Sequence, residues 1–179
     1  YVGDTGPTAR FFNGQEYQGK KICRFLDQHL AGSWEGRRVL EVGCGAGGIL
    51  GHFRSKGSVV KGCDLGADYL RFGVEQHQLD LVHGSIHEIP NSEKFDLIIY
   101  SHVFEHLTDP REELRAVHER LAPGGSLFIE IPGVYNIRAT YRCDFLRLLQ
   151  NAHVFHFTMN SLNNLVGSCG FKLVAGSEY

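Results

Sequence analysis

Val39-Leu40-Glu41-Val42-Gly43-Cys44-Gly45-Ala46-Gly47-Gly48-Ile49-Leu50 decides the fold of this chain. Four residues of strand character run into a glycine-rich turn, and a helical pattern follows it. Such a turn is expected to bare backbone N–H groups at a helix N-terminus, where a negatively charged or polar ligand group docks. Glycine suits the turn because a Cβ would block close approach and because such turns use positive φ. Further on, Val59-Val60-Lys61-Gly62-Cys63-Asp64 reads as a second strand ending on a carboxylate, 21 residues past Gly43. An acid at that separation reaches a nucleoside ribose in a doubly wound sheet.

Working outward, residues 1–14 carry three glycines and a proline with few apolar anchors, and read as a flexible lead-in. Tyr17, Ile22, Phe25, Leu26 and Leu30 then repeat at helical spacing, which predicts an amphipathic helix over 15–30. A helix is expected from Gly48 to Lys56, another from Ala67 to His77, and a short third strand over 79–83. Phe95-Asp96-Leu97-Ile98-Ile99-Tyr100 is the near-continuous apolar run of a strand buried on both faces. Asp96, at its start, lies away from the ligand end and reads as structural. Pro110 opens a helix with Arg111, Glu112 and Glu113 in its first turn. Ala122-Pro123-Gly124-Gly125 is a turn before a fifth strand over 126–131, a last helix covers 158–169, and a sixth strand covers 171–175. Strands alternating with helices give an α/β fold: a three-layer αβα sandwich around a doubly wound, mostly parallel sheet. A single domain is expected over 15–179, with a short helix before the sheet and an insert after the fifth strand at about 132–157.

The bulk properties narrow the function classes. At 179 residues and 20.0 kDa the chain suffices for one sizeable core. A net charge of −2 and a pI near 6.6 leave no electrostatic footprint for nucleic acid. No apolar run approaches the roughly 18 residues of a membrane span, and no secretory leader is read. Five cysteines without a C-x-x-C pair read as reduced thiols in a cytoplasmic protein. Cys44 and Cys63 read as small packing residues at strand ends.

The glycine turn alone also fits the dinucleotide spacing Gly43-x-Gly45-x-x-Gly48. Glu41 separates the two readings, because a carboxylate there would repel a pyrophosphate and favour a ligand bearing an ammonium and a sulfonium. Ser101-His102-Val103-Phe104-Glu105-His106-Leu107-Thr108-Asp109-Pro110 follows the fourth strand, and Leu121-Ala122-Pro123-Gly124-Gly125 introduces the fifth. With the E-V-G-C-G-A-G-G turn and the G-C-D strand end, these segments resemble the Rossmann-like S-adenosylmethionine-dependent methyltransferases in order and spacing, over roughly residues 36–175.

That resemblance implies S-adenosylmethionine as cofactor and S-adenosylhomocysteine as its product. It places the methionine end of the cofactor against Gly43, Cys44 and Gly45, oriented by Glu41. Asp64 would take the ribose hydroxyls, Leu65 would cover one adenine face, Ser85 and Ile86 would border the adenine edge, and Ser101 and His102 would close the site near the methionine amine. Many relatives carry an acid where Ser85 stands. The family's sheet usually closes with a seventh, antiparallel strand, for which nothing after Ala175 is a counterpart.

His102-Val103-Phe104-Glu105-His106 matches the H-x-x-E-H zinc-hydrolase pattern. That chemistry needs a sustained helix, whereas this segment abuts a strand end and precedes Pro110, so no metal is expected and His106 reads as a loop-packing residue. His83 and His87, separated by a Gly-Ser turn, likewise read as no metal pair. The insert holds Tyr135, Arg138, Tyr141, Arg142, Asp144, Arg147, His153 and His156, and is expected to be a substrate lid or a face packed on the sheet edge or on a second subunit in a homodimer. His153, His156 and Tyr135 are the candidate general bases for a methyl transfer. The expected acceptor is a small molecule, and the run from Leu148 to Thr158 resembles methyltransferases of surface-sugar pathways, which points to a sugar or sugar nucleotide. Two other readings stand beside this one: a methyltransferase-like binding module without turnover, and an NAD-dependent oxidoreductase.

Overall fold

A computed structural model describes residues 6–134 and 152–177. The chain divides into two compact units, residues 1–99 with 119–128 and residues 100–118 with 129–179.

The first unit begins with helix α1 (Ala9–Asp27). It starts within the stretch expected to be a loose lead-in, because Thr8 caps it by accepting from the Phe11 N–H and because Phe12 is buried in the core. Strand β1 (Arg38–Val42) leads through the glycine turn into α2 (Gly48–Ser55), followed by β2 (Val59–Asp64), α3 (Ala67–His77) and β3 (Leu81–His83). Strands β4 (Phe95–Ser101) and β5 (Leu121–Glu130) complete a five-stranded sheet of order β3-β2-β1-β4-β5. β1 runs parallel to β2, with Arg38 opposite Val59 and Val42 opposite Cys63, and β2 runs parallel to β3. The chain reverses its progress across the sheet between β1 and β4, the switch point beside which ligands bind in such folds. The α/β, doubly wound architecture is thus the one expected.

Helix α1 lies close against α2. Cβ atoms built on Gly19 and Gly48 would meet the Ile49 Cα at 2.9 Å and the Phe12 carbonyl at 2.4 Å, so both positions exclude a side chain. Trp34 closes the loop before β1, stacking edge-on against Phe53 and donating from Nε1 to Asp27 at 2.6 Å. Asp96 has the structural role expected of it, accepting from the Arg38 N–H at 2.8 Å.

The second unit takes the ends of β4 and β5, most of α4 (Pro110–Arg120) and α5 (Met159–Ser168). Among its described residues Tyr100, Phe104, Leu114 and Val117 are wholly buried apolar groups, and Tyr100 donates to Glu113 at 2.8 Å. Asp109 caps α4 by accepting from the Arg111 and Glu112 N–H groups. Two expectations are corrected. The turn expected over 122–125 lies inside the span of β5, where Gly124 takes φ +78°. Residues 171–175 form no strand: a strand needs a neighbour for its backbone groups, and none of the described strands pairs with this segment, where Leu173 and Val174 are exposed. Tyr135, Arg138, Tyr141, Arg142, Asp144 and Arg147 lie outside the described residues. Among the described residues no helix is long and apolar enough to cross a membrane.

Candidate cofactor site

In the first unit, the ends of β1, β2 and β3 bring together most of the residues expected to bind the cofactor. Gly45 takes φ +55°, and a Cβ there would come within 2.9 Å of Gln15 Nε2. A larger residue would therefore be both strained and obstructed.

The turn does not bare its N–H groups as expected. Gly43 and Cys44 both donate to the Cys63 carbonyl, at 2.8 and 3.1 Å, and Gly47 donates to the Cys44 carbonyl at 2.8 Å. Gly45 donates to Asp64 Oδ2 at 2.8 Å, and Gly48 donates to Gln15 Oε1 at 3.3 Å. A phosphate cradle works by offering unpartnered N–H groups to the anion. Here five of the turn's donors are already engaged, and the acidic groups Glu41 and Asp64 flank them.

Glu41 is the next-to-last residue of β1, 1 % exposed, and its Oε2 has no hydrogen-bond partner among the described residues. Burial first, and the neighbouring Asp64 second, push its carboxyl well above the usual range, while a backbone hydrogen bond from Leu50 pulls the other way. This refines the argument from charge. The carboxyl is biased toward its neutral form in the ligand-free chain, and a cationic group placed beside it would restore ionisation. An anion would hold it protonated. The orphaned buried acceptor thus fits a ligand that brings an ammonium donor.

Asp64 accepts from Gly45 N through Oδ2 and from Gly66 N, at 2.7 Å, through Oδ1. Each oxygen keeps a further lone pair, so the side chain is held in place by two backbone donors and can still accept ribose hydroxyls. Leu65 is 76 % exposed beside it, as an apolar surface for a base would be, and its carbonyl meets His83 Nε2 at 3.1 Å. That contact gives His83 a backbone partner. Cys44 and Cys63 are buried, in keeping with a packing role.

The third-strand end departs from expectation. Ile86 is wholly buried in a single 3-10 turn, Ile86–Glu88, and so presents no exposed edge to a ligand. Ser85 caps that turn: its N–H and hydroxyl donate to Glu88 Oε2 at 2.6 and 2.9 Å, and these bonds hold the Glu88 carboxyl below its usual range. A carboxylate is therefore present at this strand end, three residues after Ser85, the position at which the resemblance implies an acid. The S-x-x-E spacing of a capping box was the available signal for Glu88. Gln15 was also missed, because nothing in the sequence ties it to a turn nearly thirty residues away.

The remaining candidates belong to the second unit. Ser101 donates to Glu130 Oε2 at 2.8 Å. His102 has a left-handed backbone, φ +56°, which is rare for a residue with a Cβ, and its N–H donates to the Glu130 carbonyl at 2.8 Å. His153 has a side chain only 4 % exposed and faces Glu105, with Nε2 4.0 Å from Oε1. His156 is exposed, its ring 5.8 Å from that of His153. Tyr135 lies outside the described residues.

Comparison with known proteins identifies the family and the fold. The profile of a family described as a methyltransferase domain matches residues 14–175. A ubiquinone biosynthesis O-methyltransferase of Glaesserella parasuis serovar 5 is 32 % identical over 105 residues, covering 52 % of this chain and 44 % of that protein. The chain thus aligns with less than half the length of such curated relatives. Among solved structures, a SAM-dependent methyltransferase from Archaeoglobus fulgidus superposes with a TM-score of 0.69 at 24 % identity, covering 88 % of this chain and 69 % of that one. Phosphoethanolamine N-methyltransferase 2 of Haemonchus contortus, solved in complex with S-adenosyl-L-methionine, superposes with a TM-score of 0.67 at 22 % identity, covering 87 % and 36 %.

Proposed function

Since the chain belongs to the methyltransferase-domain family of Rossmann-like, S-adenosylmethionine-dependent enzymes, we propose that it transfers a methyl group from S-adenosylmethionine to a small-molecule acceptor. When bound, the donor supplies a methyl already activated by its sulfonium, so the protein's task is alignment and, where needed, removal of one proton. Glu41 meets the cationic methionine end, Asp64 accepts from the ribose hydroxyls, and Leu65 covers the base.

The observation that carries this reading is the pairing of an orphaned, buried Glu41 oxygen with a glycine turn whose donors are largely engaged. That combination suits a cationic, hydroxyl-bearing ligand and disfavours the pyrophosphate of a nicotinamide cofactor. Calorimetric titration with S-adenosylhomocysteine and with NAD tests it. Binding of NAD alone would overturn it.

The acceptor we propose is a sugar or sugar nucleotide, methylated on oxygen. The resemblance of the 148–158 run to surface-sugar methyltransferases supports the class, and the O-methyltransferase names among the relatives support the atom. His156, exposed and near the C-terminal end of the insert, is the described side chain best suited to take the acceptor's proton. A cytoplasmic setting goes with the free thiols of the four described cysteines. A screen of acceptors with labelled methyl donor checks both turnover and class. Cofactor binding without transfer to any acceptor would instead favour a binding module.

A further inference from the structure

Glu105 is the least explained buried group in the second unit. Its side chain is 3 % exposed, and neither carboxylate oxygen has a hydrogen-bond partner among the described residues. Three imidazoles surround Oε1 without reaching hydrogen-bond distance: His106 Nε2 at 3.8 Å, His102 Nδ1 at 3.9 Å and His153 Nε2 at 4.0 Å. An orphaned buried carboxylate is costly unless something cationic lies against it.

The imidazoles are arranged as ligands are. The Nδ1 of His106 lies 2.6 Å from the Ala152 carbonyl, an oxygen that can only accept. Nδ1 therefore carries a proton, and it is the far nitrogen, Nε2, that is turned toward Glu105 and offers a lone pair to a metal whenever the ring is neutral. A backbone carbonyl fixing the far nitrogen is the support that metal-binding histidines have. One ligand atom each from Glu105, His106 and His153 can be chosen so that all three lie within 4.8 Å of one another. Bonds of about 2.1 Å in a tetrahedral site place ligand atoms roughly 3.4 Å apart, so closing around an ion takes about half an ångström for the pairs with Glu105 and up to about 1.4 Å for the widest pair, within reach of side-chain rotation.

We propose that Glu105, His106 and His153 bind one divalent transition-metal ion, with His102 at the exposed rim as a fourth donor. Imidazole-rich sites with one carboxylate suit zinc and its first-row neighbours rather than magnesium or calcium, which prefer oxygen. His102 is 53 % exposed on its side chain, so solvent reaches that side of the cluster. A ligand oxygen can enter there. The left-handed backbone of His102 is the kind of strained conformation that functional sites retain. The inverted H-x-x-E-H pattern was set aside for want of a helix. Tertiary structure supplies the missing ligand from His153 instead, and the segment needs only the single 3-10 turn Phe104–His106.

The ion's binding does not depend on the methyl-transfer reading. The test is calorimetry of the metal-stripped 179-residue chain with Zn2+, joined to the visible absorption of bound Co2+. One equivalent should bind at micromolar concentration or tighter, with the intense bands of low-coordinate Co2+. His106→Gln and His153→Gln should each weaken Zn2+ at least about tenfold, and His102→Gln should weaken it less. The absence of a one-to-one site in the unmutated chain, or affinity unchanged in both His106→Gln and His153→Gln, would overturn the proposal and show an adventitious ion only. S-adenosylhomocysteine is titrated in parallel. Its failure with Zn2+ binding intact would count against the donor assignment alone, and its binding without Zn2+ against the metal site alone.

Discussion

Gln15 on α1 clasps the glycine turn at two points: Nε2 donates to the Cys44 carbonyl at 2.9 Å, and Oε1 accepts from the Gly48 N–H at 3.3 Å. A helix outside the sheet thereby sets the shape of the turn proposed to face the cofactor. Replacing it should loosen the turn while leaving the core in place. Gln15→Ala is expected to weaken S-adenosylhomocysteine by about 1 kcal/mol, the net worth of such hydrogen bonds, with little change in Tm. Calorimetry alongside a thermal melt separates the two effects.

Asp64 holds the Gly45 and Gly66 N–H groups, and in the proposed site its remaining lone pairs accept from a ribose. Asp64→Ala removes both at once. The expected loss of S-adenosylhomocysteine affinity is roughly 1.5–3 kcal/mol, the range for hydrogen bonds to a charged group. Asp64→Asn keeps an acceptor and should fall between. Unchanged affinity in the alanine variant would place the ribose elsewhere.

Glu41 gives a prediction about pH. Its folded carboxyl is raised above the unfolded value, by burial and then by Asp64, so above the unfolded range the folded chain holds this proton more tightly. Stability of the ligand-free protein from this group is therefore greatest below ~4.3 and is lost as pH rises toward the folded value. Glu41→Gln should flatten that slope and raise Tm near neutral pH. The same change should weaken S-adenosylmethionine, because the amide cannot ionise opposite a cation. Melts at several pH values with and without ligand check both halves.

Gly48 tests the packing of α1 on α2. An added Cβ would meet the Phe12 carbonyl at 2.4 Å and the Gln15 Cβ at 2.6 Å, atoms that cannot yield without moving the helix. Gly48→Ala is expected to cost about 1–3 kcal/mol or more, read as a lowered Tm and urea midpoint. A control at Gly14, where nothing lies within 4 Å, should be near neutral.

The sequence by itself determined the order of strands and helices through β5, the position of the glycine turn and the acid that follows it. These are local matters: β1 and β4 are apolar runs buried on both faces, and Pro110, Thr158 and the glycines mark their own boundaries. Glu41 was legible as an anomaly because a carboxylate inside an apolar strand needs a reason. Tertiary structure decided what the turn offers a ligand. Its N–H groups are engaged by Cys63, Asp64 and Gln15, partners that come from other elements and leave no trace in local spacing. It likewise set Ile86 inside, brought the Glu88 carboxylate back onto Ser85, and left residues 171–175 unpaired with any described strand. The cluster at Glu105 shows the same division. His102, Glu105 and His106 could be read from one short segment, but His153 joins them only when the chain returns, and side chains distant in sequence meet only through the fold.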